Sequence, residues 1–407
     1  MAAVRPFRAL RPRPDVAPRI AAVPYDVVSR DEAAALAAGN PLSFLHVSRA
    51  EIDLPPETDP YADAVYAKAA ENFRGLRDWM VQEERPALYF YRLTMGGRAQ
   101  TGLAGCFSVE EYDRGIVKRH EKTRKDKEDD RTRHIVELRA QTGPVFLVYP
   151  HQAAIDRIAA EVCAGTPLYD FVAPDGVAHA IWRAGDTEVA RLVEAFAGLP
   201  ALYIADGHHR AASASRAHGH FQAREDGGPD AEHAWFLAVA FPDDQTRILP
   251  YNRVVRDLGG RSPAAFVDEV GRRFRVTPGG PEPERKGQCT MFVGGRWYRV
   301  ELREAGAAPP ADPIQGLDVS VLQERLLGPV LQVLDPRTDK RIDFVGGIRG
   351  TGELERLVSS GAAAVAFSMY PVTVSELMAI AEAGSIMPPK STWFEPKLRD
   401  GLLVHLI

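Results

Sequence analysis

Apolar and polar positions alternate along this chain in short blocks whose period switches repeatedly between that of a helix and that of a strand. Ala22 to Val28 is a short apolar stretch broken by Pro24. Ser29 follows, with Glu32 three residues on, the spacing of a capping box, and the Ala-rich run Ala33 to Ala38 completes a helix stopped by Gly39-Asn40-Pro41. From Asp59 to about Glu83, Tyr61, Val65, Ala69, Phe73, Leu76 and Met80 fall on one helical face. Ala87 to Thr94 and Ala99 to Val109 read as two strands turned at Gly96-Gly97. Lys118 to Arg133 is the most charged stretch; it runs on through Ile135, Val136 and Leu138 to Gly143-Pro144, and the spacing predicts one long helix.

Val145 to Tyr149 is a buried strand by composition, and Gln152 to Val162 a helix. Leu168 to Ala173 and Val177 to Trp182 form a hairpin around Pro174-Asp175-Gly176. The helix Thr187 to Ala197 feeds the apolar strand Ala201 to Ile204, His209 to His218 begins the next helix, and Phe236 to Phe241 is a strand after a loop at Gly227 to Asp230. The last third alternates in the same way, with a helix Pro263 to Arg273, a hairpin Thr290 to Val293 and Arg296 to Val300, a loop over Ala305 to Pro313, and a helix capped by Asp318 that ends near Leu327. Ile342 to Val345, Glu353 to Val358 and Ala363 to Ser368 read as a βαβ unit. The first 20 residues, rich in Arg and Pro, are expected to run extended over the surface.

These elements predict an α/β fold (mixed α+β), with mixed sheets, β-hairpins and packed helices. At 407 residues the chain exceeds one ordinary domain. The reading divides it into residues 1–110, an N-terminal α/β region; 111–255, a phosphate-binding core; and 256–407, a C-terminal α/β region. The formal net charge of −5 argues against nucleic acid as the chief partner. Three scattered cysteines fit a reducing compartment better than a disulfide scaffold, and no stretch approaches the ~20 apolar residues that cross a bilayer. The expectation is a cytoplasmic protein without a membrane partner.

The strongest chemical signal is Ala205-Asp206-Gly207-His208-His209-Arg210, where a buried strand ends and a helix begins. Gly207 permits a tight turn. The first N–H groups of the helix lack intrahelical partners and, with the dipole, favour an anion by about 0.3–1 kcal/mol. Arg210 adds a forked donor suited to phosphate. Asp206 is a candidate for Mg²⁺ or for an acceptor hydroxyl, and His208 and His209 are donors or cations near pH 7. The plainer alternative is that Asp206 only caps the helix. In the charged run, His120, Arg124, Lys127, Arg131 and His134 share one face at helical spacing, with Glu121 beside it. That face reads either as a lid over phosphates, with Glu121 as general base, or as a solvated surface held by pairs such as Arg124 with Glu128. Asp26, Arg253 and Lys390 are candidate substrate contacts on loops that could equally be structural. There is no Gly-x-x-x-x-Gly-Lys-Ser/Thr run, no protein-kinase motif set and no His-Glu-x-x-His.

The turn resembles the Gly-His-His-Arg type of the ParB/sulfiredoxin superfamily, and especially its free-serine kinases, which place nucleotide phosphates there. A wider resemblance joins Val23-Pro24-Tyr25-Asp26, Asn40-Pro41 with Phe44 to Val47, Lys118 to His134, Ala205 to Arg210, Leu249 to Arg253 and Met387 to Lys397. On these segments the chain is identified as a member of a widespread bacterial and archaeal family, carried as a domain of unknown function or as serine-kinase-like. The resemblance implies a ParB/sulfiredoxin-like core around the turn, with further α/β elaboration. It also implies a kinase using ATP or ADP with Mg²⁺ and a small hydroxyl-bearing acceptor such as free L-serine. Gly207, His208, His209, Arg210, Arg124, Lys127 and Arg131 would hold the nucleotide, Asp206 the metal, and Asp206, His208 and Glu121 the chemistry. A nucleotide-binding regulatory protein and a metal-dependent phosphohydrolase remain as alternatives, and a homodimer is left open.

Overall fold

The structure is a computed structural model that describes residues 2–224, 228–304, 306 and 310–407; the loops expected at Gly227 to Asp230 and Ala305 to Pro313 lie partly outside the described residues. The protein is α/β, and its sheets mix parallel and antiparallel pairs. It divides into two compact units, Met1–Thr246 with Pro396–Ile407, and Arg247–Glu395.

The first unit is built on a nine-stranded sheet. Its order is Val117–Lys118, Leu202–Asp206, Val145–Tyr149, Trp235–Pro242, Arg98–Ser108, Tyr89–Met95, Ala178–Arg183 and Tyr169–Val172, with Val4–Arg5 also paired to Arg98–Ser108. Two neighbouring pairs are parallel, Leu202–Asp206 with Val117–Lys118 and Trp235–Pro242 with Val145–Tyr149; the others are antiparallel. Val145–Tyr149 is buried at every position, as its unbroken apolar composition requires of a strand covered on both faces. Helices Ala153–Cys163 and Asp186–Ala197 bring Ile155, Ile158, Leu192 and Phe196 into the sheet's core beside Leu147, Leu202 and Ile204. Ala211, Ala212 and Ala214 of the helix His208–Gln222 pack there too, their small side chains letting its first turns lie close to the strands.

Several expectations hold in detail. The Ser29 hydroxyl accepts the Glu32 N–H and the Glu32 carboxylate accepts the Ser29 N–H at 2.8 Å, a complete capping box for Arg30–Ala37. Gly96 and Gly97 both have positive φ and join strands in register Met95 to Arg98, the geometry a two-residue hairpin turn needs.

Others are corrected. The first 20 residues are not a surface strap: Val4–Arg5 and Leu10–Pro12 are strands, and Val4, Phe7, Ala9 and Leu10 are buried. The helix expected to about Glu83 is Asp63–Leu76; the chain then turns and Met80–Gln82 pairs with Leu10–Pro12, so Met80 is buried on a strand and its place in the helical stripe is coincidence. The charged helix begins at Lys125, not Lys118. Val117–Lys118 is an edge strand, and the backbone N–H groups of His120 and Arg124 are given to histidine rings on another helix, which holds residues 119–124 out of helical geometry.

The second unit has a six-stranded, wholly antiparallel sheet in the order Arg275–Pro278, Arg296–Glu301, Gln288–Val293, Val365–Met369, Tyr251–Val255, Ile342–Gly346. Ile342–Gly346, the helix Gly350–Ser359 and Val365–Met369 do form a crossover, but Tyr251–Val255 sits between the two strands, so the unit is a split βαβ rather than an adjacent pair. The helix after Leu317 is regular only over Asp318–Leu322 and continues as a π turn over Gln323–Leu327. No helix among the described residues is long and apolar enough to cross a membrane.

Candidate active site at the strand-to-helix turn

Leu202 and Ile204 anchor their strand in the core, and the register against Val145–Tyr149 slips between Ile204 and Asp206. Beyond that irregularity Asp206, the last residue of the strand, still pairs with Phe146 and stands at the strand's C-terminal end. Gly207 then adopts φ +91, a left-handed conformation that a β-carbon would strain, and a β-carbon would also sit 3.4 Å from the Val145 Cα. The helix His208–Gln222 starts immediately after it, with Gly207 as an N-cap that has no side chain to satisfy the first N–H groups. The first N–H groups of a helix have no partner within it, and no side chain caps them here.

Asp206 is held from two sides. One carboxylate oxygen accepts the Gly207 N–H at 2.9 Å and the other accepts from the Lys397 ammonium at 2.9 Å. Burial alone would raise its pKa, but the charges of Lys397 and Arg210 outweigh that and hold the carboxyl well below the usual range. It is a carboxylate at neutral pH, and each of its oxygens keeps a lone pair beyond these two bonds.

Arg210 is buried and committed. Its guanidinium donates to the Pro144 carbonyl at 2.8 Å and to both Asp26 oxygens at 3.0 and 3.2 Å. Burial disfavours the charge, yet Asp26, Asp206 and Asp400 more than restore it, so the group stays a cation. Asp26 and Arg210, expected separately as substrate and phosphate contacts, are therefore each other's partner.

The two histidines face a loop. The His208 Nε2 accepts the His120 N–H at 3.5 Å, and its Nδ1 lies 3.7 Å from a Glu121 oxygen. The His209 Nε2 accepts the Arg124 N–H at 3.0 Å. At His209 the accepting Nε2 places the proton of a neutral ring on Nδ1, whereas the 3.5 Å contact at His208 is too long to fix its tautomer. Burial pushes the pKa of His208 well below its ordinary value and lowers that of His209; His120, edge-on to His208 at 4.4 Å, is lowered to about 4 by the same cause. Burial thus favours the neutral form of all three rings. Residues 119–124 are thus stitched across the start of the helix.

Of the charged run, His120, Glu121 and Arg124 meet the two histidines, Arg131 reaches the cavity beside Arg210 instead, and Lys127 is held away by Tyr61. Lys127 donates to the Tyr61 hydroxyl at 2.9 Å. Arg131 pairs with Asp130 at 2.9 Å, donates to the Ser48 carbonyl at 3.2 Å and stacks 4.2 Å from the Tyr25 ring centre. Arg124 itself is exposed, with its guanidinium on Asp126 at 2.7 Å. Arg253 and Lys390 lie in the second unit, where the buried Arg253 guanidinium donates to the Lys390 carbonyl at 3.1 Å and to that of Tyr251.

Beside Arg210 lies a cavity of about 40 Å³ whose lining includes Tyr25, Ser48, Arg131, Arg210 and Asp400. Ser48 Oγ, Arg210 Nε and Asp400 Oδ1 have no hydrogen-bond partner. One water needs ~10–15 Å³ of such space, so the cavity suits a few waters and not a nucleotide. Burial pushes the Asp400 carboxyl up to about 7. Lys397 and Asp400 are the residues that sequence reasoning misses; Lys397 closes the segment Met387 to Lys397, in which Lys390 is the more conspicuous candidate, and nothing local marks Asp400.

The family model described as "Protein of unknown function (DUF1015)" matches residues 4–320. No curated protein matches the chain. Among solved structures, a free serine kinase variant in complex with AMP aligns at a TM-score of 0.35 and 11% identity, covering 73% of this chain and 92% of that one. A conserved hypothetical protein from Pyrococcus furiosus aligns at 0.34 and 14%, covering 74% and 95%. SbnI with a C-terminal truncation, from Staphylococcus aureus, aligns at 0.36 and 12%, covering 74% and 87%.

Proposed function

The chain belongs to the DUF1015 family, and we propose that it is a small-molecule kinase that moves the terminal phosphate of ATP or ADP to a hydroxyl acceptor such as free L-serine. The observation that carries this is the turn itself. A left-handed glycine opens a helix whose first amides are not capped by a side chain, with an ionised Asp206, a lysine and a buried, permanently charged arginine grouped around it. Phosphoryl transfer asks mainly for positioning and for neutralisation of phosphate charge, and this set supplies both.

In this reading the amides of His208, His209 and Arg210 receive phosphate oxygens. Arg210 acts from behind, as a fixed charge that also ties the turn to Asp26 and to the Pro144 carbonyl. Arg124, exposed beside His209, is the cation of the charged run best placed to meet the nucleotide. Asp206 orients the acceptor hydroxyl or helps to hold Mg²⁺, which would supply further neutralisation of the phosphates. Glu121, half exposed beside His208, takes the hydroxyl proton. The acceptor oxygen then forms its bond to phosphorus as the bond to the leaving nucleotide breaks, and ADP or AMP departs.

The test is to incubate the purified chain with ATP or ADP, Mg²⁺ and an amino-acid pool, and to follow nucleotide and phosphorylated acceptor by mass spectrometry. Phosphoserine, or another phosphorylated hydroxyl compound, appearing in step with loss of nucleotide is the expected result. Tight nucleotide binding without turnover would replace the kinase with a nucleotide-regulated protein, and release of inorganic phosphate alone would replace it with a hydrolase.

A further inference from the structure

His120, Glu121 and His208 each present one ligand atom, and these atoms lie within 4.8 Å of one another; among the described residues they are the only group of three or more that does so. Two of the three are buried histidines. His120 is 2% exposed; the Ile204 backbone lies near one of its ring nitrogens without a well-formed hydrogen bond, and the other ring nitrogen is left over. Buried polar atoms are normally paired, and one left over calls for an explanation such as an ion. The His208 ring meets His120 edge-on, with centroids 4.4 Å apart at 88°. Its Nε2 receives only the long 3.5 Å contact from the His120 N–H, and its Nδ1 faces Glu121 at 3.7 Å. Glu121 supplies a carboxylate from the solvent side, with about half of its side chain exposed.

We propose that His120, His208 and Glu121 form a binding site for one divalent first-row transition-metal ion of the zinc class. Two imidazoles and one carboxylate suit such an ion, whereas Mg²⁺ and Ca²⁺ prefer oxygen ligands throughout. Three protein ligands with an exposed flank leave a coordination position open to water or to a phosphate or hydroxyl oxygen. Ligand atoms around a metal at about 2.0–2.2 Å stand roughly 3–4 Å apart, so the set must contract slightly. That contraction falls to Glu121, whose side chain is about half exposed, rather than to the two buried rings. Folding the loop 119–124 across the helix start is what brings a sequence-distant pair of histidines together, which explains why no metal spacing is visible along the chain.

The site goes beyond the kinase reading and does not rest on it. Under that reading alone Glu121 is a base; with a metal bound it is a ligand, and the two roles separate by experiment. The full chain, stripped with chelator, is dialysed against Zn²⁺ and its metal content measured by mass spectrometry; Co²⁺ then serves as a spectroscopic probe. The expected result is one Zn²⁺ per chain, Co²⁺ absorption bands in the visible range, and no displacement by a large excess of Mg²⁺. Glu121→Gln should weaken Zn²⁺ binding by about 10-fold or more and His120→Ala by about 100-fold. Glu121 is exposed, so E121Q keeps the fold, which circular dichroism verifies, and it decides the outcome even where H120A unfolds. Failure to bind Zn²⁺, or equal binding by wild type and E121Q, overturns the proposal. No nucleotide enters this assay, so its failure and the failure of the kinase reading are distinct results.

Discussion

Replacing Lys397 with Met removes the charge that faces Asp206 while keeping most of the apolar stem. The ion pair spans 2.9 Å, with side chains 14% and 26% exposed. Coulomb attraction at that distance is about 6 kcal/mol for an effective dielectric of ~20, and the desolvation of both groups offsets much of it. A hydrogen bond to a charged group contributes about 1.5–3 kcal/mol net, the range expected for the loss of stability in K397M. Because the folded-state pKa of Asp206 lies below its unfolded value, this contribution is fully present above the unfolded pKa near ~3.9 and is lost as pH falls toward the folded one. Urea unfolding of wild type, K397M, D206N and the double variant at pH 7 gives the coupling energy directly. K397M and wild type should also converge in stability as the pH is lowered below about 4. A coupling energy indistinguishable from zero, below ~0.3–0.5 kcal/mol, would refute the claim that Lys397 holds Asp206 in place.

Other substitutions test separate parts of the site. Gly207→Ala must force a side chain into φ +91, so a loss of about 1–2 kcal/mol in thermal or urea unfolding is expected, together with weaker nucleotide binding. Asp206→Asn should keep a folded chain and lower phosphotransfer by about 10²-fold or more, measured as phosphorylated acceptor formed per minute; unfolding instead would mark Asp206 as a structural cap. Asp400, with its carboxyl pushed up to about 7, keeps in the folded chain a proton that the unfolded chain has lost, so it makes stability fall as pH rises from about 4 to 7. Asp400→Asn should flatten that slope, gaining at most about 4 kcal/mol over wild type at pH 8 and little at pH 4, as read from urea midpoints.

Local chemistry was legible in the sequence wherever a few adjacent residues decide the structure. Ser29 with Glu32, Gly96-Gly97, Gly294-Gly295 and the Asp206-Gly207 turn each act through their own backbone or the next turn of chain, and each sits where the pattern placed it. What failed was set by partners far away. The helix expected from Lys118 gives way because the His120 and Arg124 amides bond to rings 88 and 85 residues later. Met80 leaves its helix for a strand that pairs with Leu10–Pro12. Arg210 reads as a phosphate fork in isolation, yet Asp26, 184 residues before it, takes one end of the guanidinium. Lys397 and Asp400 come from a C-terminal segment that returns to the first unit after the second has been completed, and no periodicity announces that return. The three metal-ligand candidates were all visible as residue types; only the fold of residues 119–124 makes them neighbours.

In the kinase reading, nucleotide phosphates sit on the amides just after Gly207. Labelling the chain with ¹⁵N-histidine gives eleven backbone reporters, among them His208 and His209. Titration with ADP and Mg²⁺ should shift the amide signals of these two, assigned by substitution, while those of the buried His405 and of His151 stay in place. Saturable ADP binding that leaves the His208 and His209 amides unmoved, or no binding at all, would contradict the account.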